Sequence, residues 1–383
     1  MSTLFKYVFL GLILTVFVVL IYNRPEMKRV EYRRYSGFCV FPNFYKAEVR
    51  NYNRIALILH VSADILNETL LEQVTNWNST VSLTVYFHTI LEIDCALSLL
   101  SSIYKNAQVV ENLSVHLLAD SKFDCPVWKQ RFFSHVSKEN CTKSKERLSM
   151  RQIANYPANV ARNVARMYSI TEYILIADYN HMFSENFEEN VRKIMDRESG
   201  KDRQIALVYR IFEYSPAAGK CPRTKHDLEQ LIKTGLAESF HAIYYPDGHR
   251  IANETEWFRK ENSEDGIFLY NHPYKNARWE PQFVSRSDIP LHDEKFPFQQ
   301  MDNTVLRWEM CRAGYKWHLL DDVFMAHRGI KQKSYGQTAW SIQKANEKRF
   351  IQALGSFNIR VDGSYPNTRA VCPSTELKFL YAV

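Results

Sequence analysis

No Cys-x-x-Cys pair, no Gly-x-Ser-x-Gly and no basic run interleaved with aromatics occurs in these 383 residues. The first absence removes the commonest zinc frameworks, and no Cys/His cluster has zinc spacing either. The second removes the nucleophile elbow of an α/β hydrolase. The third, with a formal charge of +7 spread along the chain, leaves no footprint for nucleic acid. Internal repeats and Pro/Ser-rich low-complexity segments are also missing. Apolar and charged fractions are those of an ordinary globular protein, long enough for one large or two modest domains.

One long apolar run stands out. Tyr7 to Tyr22 carries no charge and is bracketed by Lys6 and Arg24, close to the shortest stretch that spans a bilayer. No small-residue cleavage pattern follows it, so residues 7–23 are expected to be an uncleaved signal anchor, after a cytoplasmic tail of residues 1–6. Lys28, Arg29, Arg33 and Arg34 outnumber Lys6 and by themselves favour a cytoplasmic C-terminal part. Five sequons, at Asn67, Asn78, Asn112, Asn140 and Asn253, together with seven cysteines, argue for an oxidising lumen. Seven is odd, so at most three bridges close within the chain. Cys125 and Cys141 flank one charged stretch and are the expected local bridge.

Residues 24–53 read as a stem. From Arg54 strands alternate with helices: Ile55–His60, helix 63–74, Val81–Phe87, helix 93–104 and Leu113–Leu118. This pattern predicts an α/β fold with a mostly parallel sheet. A helix from Ala158 leads into the apolar run Tyr173 to Ala177, which ends in Asp178-Tyr-Asn180. Ligand crevices of open α/β sheets lie outside the carboxyl ends of strands. Hard divalent cations take oxygen ligands, and residues one apart in an extended chain face the same way. Asp178 and Asn180 are therefore candidate metal ligands. Trp257 reads as core and Trp279 as a surface on which an acceptor sugar stacks. A last helix is expected over 340–354, with an irregular tail over 356–383.

Several motifs then fall in order. Tyr156-Pro-Ala-Asn-Val-Ala-Arg-Asn-Val-Ala-Arg166, Tyr173 to Asn186, Gly248-His249 with Asn253 and Trp257, Trp279-Glu-Pro281, Pro290-Leu-His-Asp-Glu-Lys-Phe296 with Asn303, and Phe324-Met-Ala-His-Arg-Gly329 together resemble glycosyltransferase family 49. That group holds beta-1,4-glucuronyltransferases and the second catalytic domain of LARGE-type enzymes. The resemblance spans roughly residues 54–355 and is specific as a set. It implies a GT-A-like nucleotide-sugar-binding domain in a type II Golgi enzyme. It also implies inverting transfer of a sugar, glucuronic acid in the group, from a UDP-sugar donor to a glycan or glycoprotein acceptor. By the same resemblance Asp178, Asn180 and His327 hold Mn2+, and Arg162, Asn163 and Asp178 meet the donor. Inversion requires a carboxylate base, for which Asp293 comes first and Glu280 and Asp302 follow. Asp-Tyr-Asn stands where the family has Asp-x-Asp, which removes one negative charge from the metal site. The alternative is thus a weakened or inactive homologue that binds a glycan or partners an active transferase.

Overall fold

The computed structural model describes residues 31–48, 51–122, 124–134, 148–243, 245–260 and 263–377. The expected cytoplasmic tail, the anchor at residues 7–23, Asn140 and Cys141 lie outside them. Among the described residues no helix is long and apolar enough to cross a membrane.

The chain forms β1 (Arg33–Tyr35), β2 (Phe38–Tyr45), β3 (Ile55–Ser62), β4 (Val81–Phe87), β5 (Leu113–Asp120), β6 (Tyr173–Ile176), β7 (His181–Phe183), β8 (Ile205–Tyr214), β9 (Ala237–Ser239), β10 (Ile267–His272), β11 (Gln282–Arg286) and β12 (Lys316–Arg328). They make one sheet in the order β1-β2-β5-β4-β3-β6-β11-β8-β12-β10, with β7 against β12 and β9 against β8. β3, β4 and β8 are buried at every position, as continuous apolar runs are when helices cover both faces.

The sheet is mixed, which corrects the expectation of a mostly parallel one. β5-β4-β3-β6 and β8-β12 pair in parallel, while β11 runs against both β6 and β8 and the edges are antiparallel. A parallel neighbour needs a crossover, usually helical. β11 instead follows the loop-rich stretch from residue 215 to residue 281. Because β11 opposes both neighbours, β6, β8 and β12 point the same way and their carboxyl ends share one edge.

The stem reading is corrected in its second half. Residues 33–45 form a hairpin at the sheet's edge, with Tyr35 opposite Phe38 and Ser36 and Gly37 both left-handed, at φ 50 and 82. That pair of dihedrals suits the twist of a two-residue hairpin. Cys39 of β2 is bonded to Cys125 (Cα–Cα 5.5 Å), so the expected Cys125–Cys141 bridge is overturned. Cys311 pairs with Cys372, Cys95 is also disulfide-bonded, and Cys221 is the free thiol.

Helix positions largely follow the periodicity, with two instructive departures. The helix expected over 63–74 is Thr69–Trp77. Asn67 Oδ1 accepts from Thr69 N–H at 2.9 Å, a local bond that competes with earlier helix growth. The final helix runs Lys333–Ser364, well past 354. Gly355 interrupts the pattern in the sequence, yet buried Phe350, Leu354, Phe357 and Val361 continue the stripe. Phe357 meets Phe296 and Trp308 with ring centroids at 5.7 and 5.9 Å, so the start of the expected tail, through Val361, is part of the core. Phe357→Ala is expected to lower unfolding free energy by about 3–5 kcal/mol. Denaturant titration checks this; a loss below about 1 kcal/mol would contradict the packing role.

Candidate functional site

β6 stops at Ile176, and residues 177–180 turn into β7. Asn180 sits at φ 70, a left-handed conformation that Asn tolerates better than most residues. Asp178 and Asn180 are therefore aimed by a turn and not by strand alternation. The Asp178 side chain is 57% exposed, with His60 Nε2 at 3.6 Å and Arg162 Nη2 at 3.7 Å from Oδ1. Its surroundings push the carboxyl up, but the His60 contact and the Arg162 guanidinium outweigh this and hold it well below the usual range. Asp178 thus offers a firm anion to solvent. No hydrogen bond engages the Asn180 side-chain amide among the described residues.

The topology delivers His327 to the same edge. It lies opposite His181 across the β12–β7 ladder, with ring centroids 5.9 Å apart. His327 Nδ1 is 3.2 Å from the Gly329 carbonyl. A carbonyl only accepts, so Nδ1 carries the proton and Nε2 keeps its lone pair, the tautomer of a metal ligand. Burial and the Lys331 charge push its pKa down to about 4. His181 is buried, its Nδ1 without a hydrogen-bond partner, and burial brings its pKa to about 3.

Around these lies a group that sequence reasoning did not assemble. The Phe240 ring is stacked on His241 at 3.8 Å and lies 4.9 Å from His249, 5.7 Å from His327 and 6.0 Å from His181. Lys331 Nζ sits 5.1 Å over that ring and 2.9 Å from His241 Nε2. Of the histidines gathered here, the sequence motifs mark His249, in Gly248-His249, and His327.

The other predicted residues divide. Arg162 is buried in the helix Ala158–Met167 and bonds Asp302 Oδ2 at 2.8 Å, placing Asp302 beside Asp178. Burial pushes the Asp302 carboxyl up and Arg162 pulls it down. Glu280 and Asp178 add to the rise, and the net shift is upward. Glu280 is half-buried and oriented by Asn303 Nδ2 at 2.6 Å and Thr304 Oγ1 at 2.9 Å. Asn163 is not available to a donor. Its amide donates to the His292 carbonyl and to Glu294 and accepts from His292 N–H. Asp293 is not brought to Asp178 either: Arg360 takes its Oδ2 at 3.3 Å. It faces a cavity of about 880 Å³ whose walls include Tyr35 and Tyr315 but none of Asp178, Asn180 and His327. Trp279 is buried against His272, Tyr274 and Trp317, so it offers no face to a sugar; Trp257 is core, as expected.

Among the described residues no three His, Cys, Asp or Glu side chains are grouped to hold a metal ion alone. A cation shared with phosphate oxygens needs only one or two protein groups. The donor set of carboxylate, free amide and neutral imidazole fits such a shared ion. Of the sequons, Asn67, Asn78 and Asn253 are exposed, and Asn112 is half-buried with Nδ2 bonded to the Gln108 carbonyl.

Residues 54–359 match the sequence profile of glycosyltransferase family 49, described as a glycosyl-transferase for dystroglycan, and the chain belongs to that family. Beta-1,4-glucuronyltransferase 1 of Mus musculus is 24% identical over 336 residues, covering 84% of this chain and 78% of that protein. The Homo sapiens enzyme of the same name is 24% identical over 335 residues with the same coverage. The xylosyl- and glucuronyltransferase LARGE2 of Rattus norvegicus is 24% identical over 177 residues, 45% of this chain and 24% of that protein. A solved structure of GalNAc-T7 with UDP, GalNAc and Mn2+ aligns at TM-score 0.43 and 10% identity, covering 83% and 51% of the two chains, a likeness too distant to carry an argument.

His181 and His327, with His116 (buried, pKa about 3), are neutral in the fold but take up protons near pH 6.5 once unfolded. A lowered imidazole pKa contributes stability that is whole above about 6.5 and is lost as pH falls toward the folded value. Denaturation midpoints should therefore drop between about pH 7.5 and about pH 5; a flat profile would contradict the buried, neutral assignment.

Proposed function

We propose that this chain is a metal-dependent transferase of GT-A-like architecture that moves a sugar from a UDP donor to a glycan acceptor with inversion. The observation that carries the reading is the meeting, at one sheet edge, of exposed anionic Asp178, unbonded Asn180 and neutral His327. Asp178 and His327 would hold Mn2+, with the Asn180 amide oxygen as a neutral third donor, and imidazole beside oxygen suits manganese better than magnesium. Bound there, the ion would neutralise charge on the diphosphate as it leaves. Lys331, beside His327, adds a fixed positive charge to the same edge.

Arg162 ties the metal-bearing turn to Asp302, whose raised pKa suits a base. Asp302 takes the acceptor hydroxyl's proton as that oxygen bonds to the anomeric carbon and the bond to UDP breaks. Glu280 stands beside it and contributes the negative field that favours proton uptake. Glucuronic acid is the donor sugar that the relatives' names suggest. A type II Golgi placement is what the family resemblance implies; the apolar run at residues 7–23, the exposed sequons and the disulfides support an anchored, lumenal domain.

A second reading rests on Asn180. With one carboxylate fewer than Asp-x-Asp, the site draws a cation less strongly, and a homologue that binds glycan without transfer would look like this.

Calorimetric titration of the purified protein with UDP separates the two. Binding is expected only with Mn2+, lost in Asp178→Ala and His327→Ala and tightened in Asn180→Asp; unchanged binding in both alanine variants would overturn the metal assignment. A folded wild type that binds no UDP would favour the second reading. Asp302→Asn is expected to cut turnover by about 10²–10⁴-fold while leaving UDP affinity unchanged. Turnover kinetics over candidate UDP-sugars check it, and full activity in that variant would move the base elsewhere.

A further inference from the structure

The turn that carries Asp178 and Asn180 has a strand on one side only. β7 pairs with β12 through His181–His327, Met182–Ala326 and Phe183–Met325, and its other edge faces the helix Thr69–Trp77. Two side-chain amides from that helix stand where a strand would be. Gln73, buried with no exposed surface, donates from Nε2 to the carbonyls of Asp178 at 3.2 Å and His181 at 3.1 Å, and accepts at Oε1 from Asn180 N–H at 3.0 Å. Asn76, three residues on and so on the same helix face, bonds both the N–H and the carbonyl of Phe183, at 2.7 and 3.2 Å.

An uncharged amide offers a donor and an acceptor from one rigid plane. A glutamate would lack the donor, a lysine the acceptor, and an apolar residue would leave three backbone groups unpaired. The two amides do different things. Asn76 completes β7 beyond the turn. Gln73 holds the peptide after Asp178 and the N–H of left-handed Asn180, the backbone of both side chains proposed to reach the metal. Tyr179 between them is tied separately, its hydroxyl donating to the Asn67 carbonyl at 2.7 Å and accepting from Asn67 N–H at 3.0 Å.

We infer that Gln73 is a positioning residue for the metal-bearing turn, presetting the directions of Asp178 and Asn180 before any ion or nucleotide arrives. This rests on the reading of those two residues as metal ligands. Gln73→Met keeps the length and removes every hydrogen bond; Asn76→Ala weakens the same strand without touching the turn. Both are expected to lower the thermal midpoint. Only Gln73→Met should raise the Mn2+ concentration that half-saturates UDP binding, by about 10–100-fold, and added Mn2+ should restore its UDP binding. No shift in Gln73→Met, or an equal shift in Asn76→Ala, overturns the inference. If Gln73→Met does not fold, amide exchange on the metal-free wild type decides: Asn180 N–H is expected to be protected, and exchange at the unstructured rate overturns it. A wild type without metal-dependent UDP binding overturns the functional reading and this inference together, whereas normal wild-type binding with an unshifted Gln73→Met overturns the inference alone.

Discussion

The helix Ala158–Met167 is buried along nearly its whole length, yet it carries Asn159, Arg162, Asn163 and Arg166. Burying such groups is costly unless each is paired, and each of these side chains has a partner, though Arg166 Nε itself has none. Asn159 bonds the Asp293 carbonyl, Asn163 brackets His292, Arg166 reaches the carbonyls of Ile289 and Pro290, and Arg162 takes Asp302. The partners all come from residues 289–302, far along the chain. One helix therefore fastens the late loop to the early parallel strands. The site exists where the two halves meet, with Arg162 between Asp178 and Asp302.

That arrangement also explains the electrostatics of the edge. Arg162 and the His60 contact keep Asp178 ionised, while Asp302, deeper and flanked by Glu280, moves the other way. Two aspartates joined through one guanidinium are thus held in opposite protonation tendencies, which suits the proposed roles of ligand and base. The histidines around Phe240 remain neutral because they are buried near Lys331. Neutral imidazole can coordinate a cation; imidazolium cannot.

Asn180 at this turn has a local reason. The backbone there is left-handed, a conformation that asparagine accepts readily, and it is pinned by Gln73 from a neighbouring helix. The turn is thus well defined while carrying less charge. On the proposed metal reading, what it gives up is attraction for the ion, not geometry.

Much was legible in the chain itself. Apolar runs marked β3, β4 and β6 because strands covered on both faces need them, and the ordered motifs marked the family as a set. The sequence also put Asp178 at a carboxyl end, since strand and turn are local. It did not show that Asn163 and Asp293 are spent on structural bonds, that Trp279 is walled in by Tyr274 and Trp317, or that residues 33–45 join the sheet. Those outcomes depend on partners brought in from other elements, as far as 129 residues away for Asn163 and His292, or on which edge strand is left unpaired, and no local pattern encodes them. Gln73 is the clearest case. In sequence it is one polar position in an amphipathic helix; only the antiparallel docking of β7 on β12, which leaves one edge of the turn open toward that helix, makes its amide the support on which Asp178 and Asn180 rest.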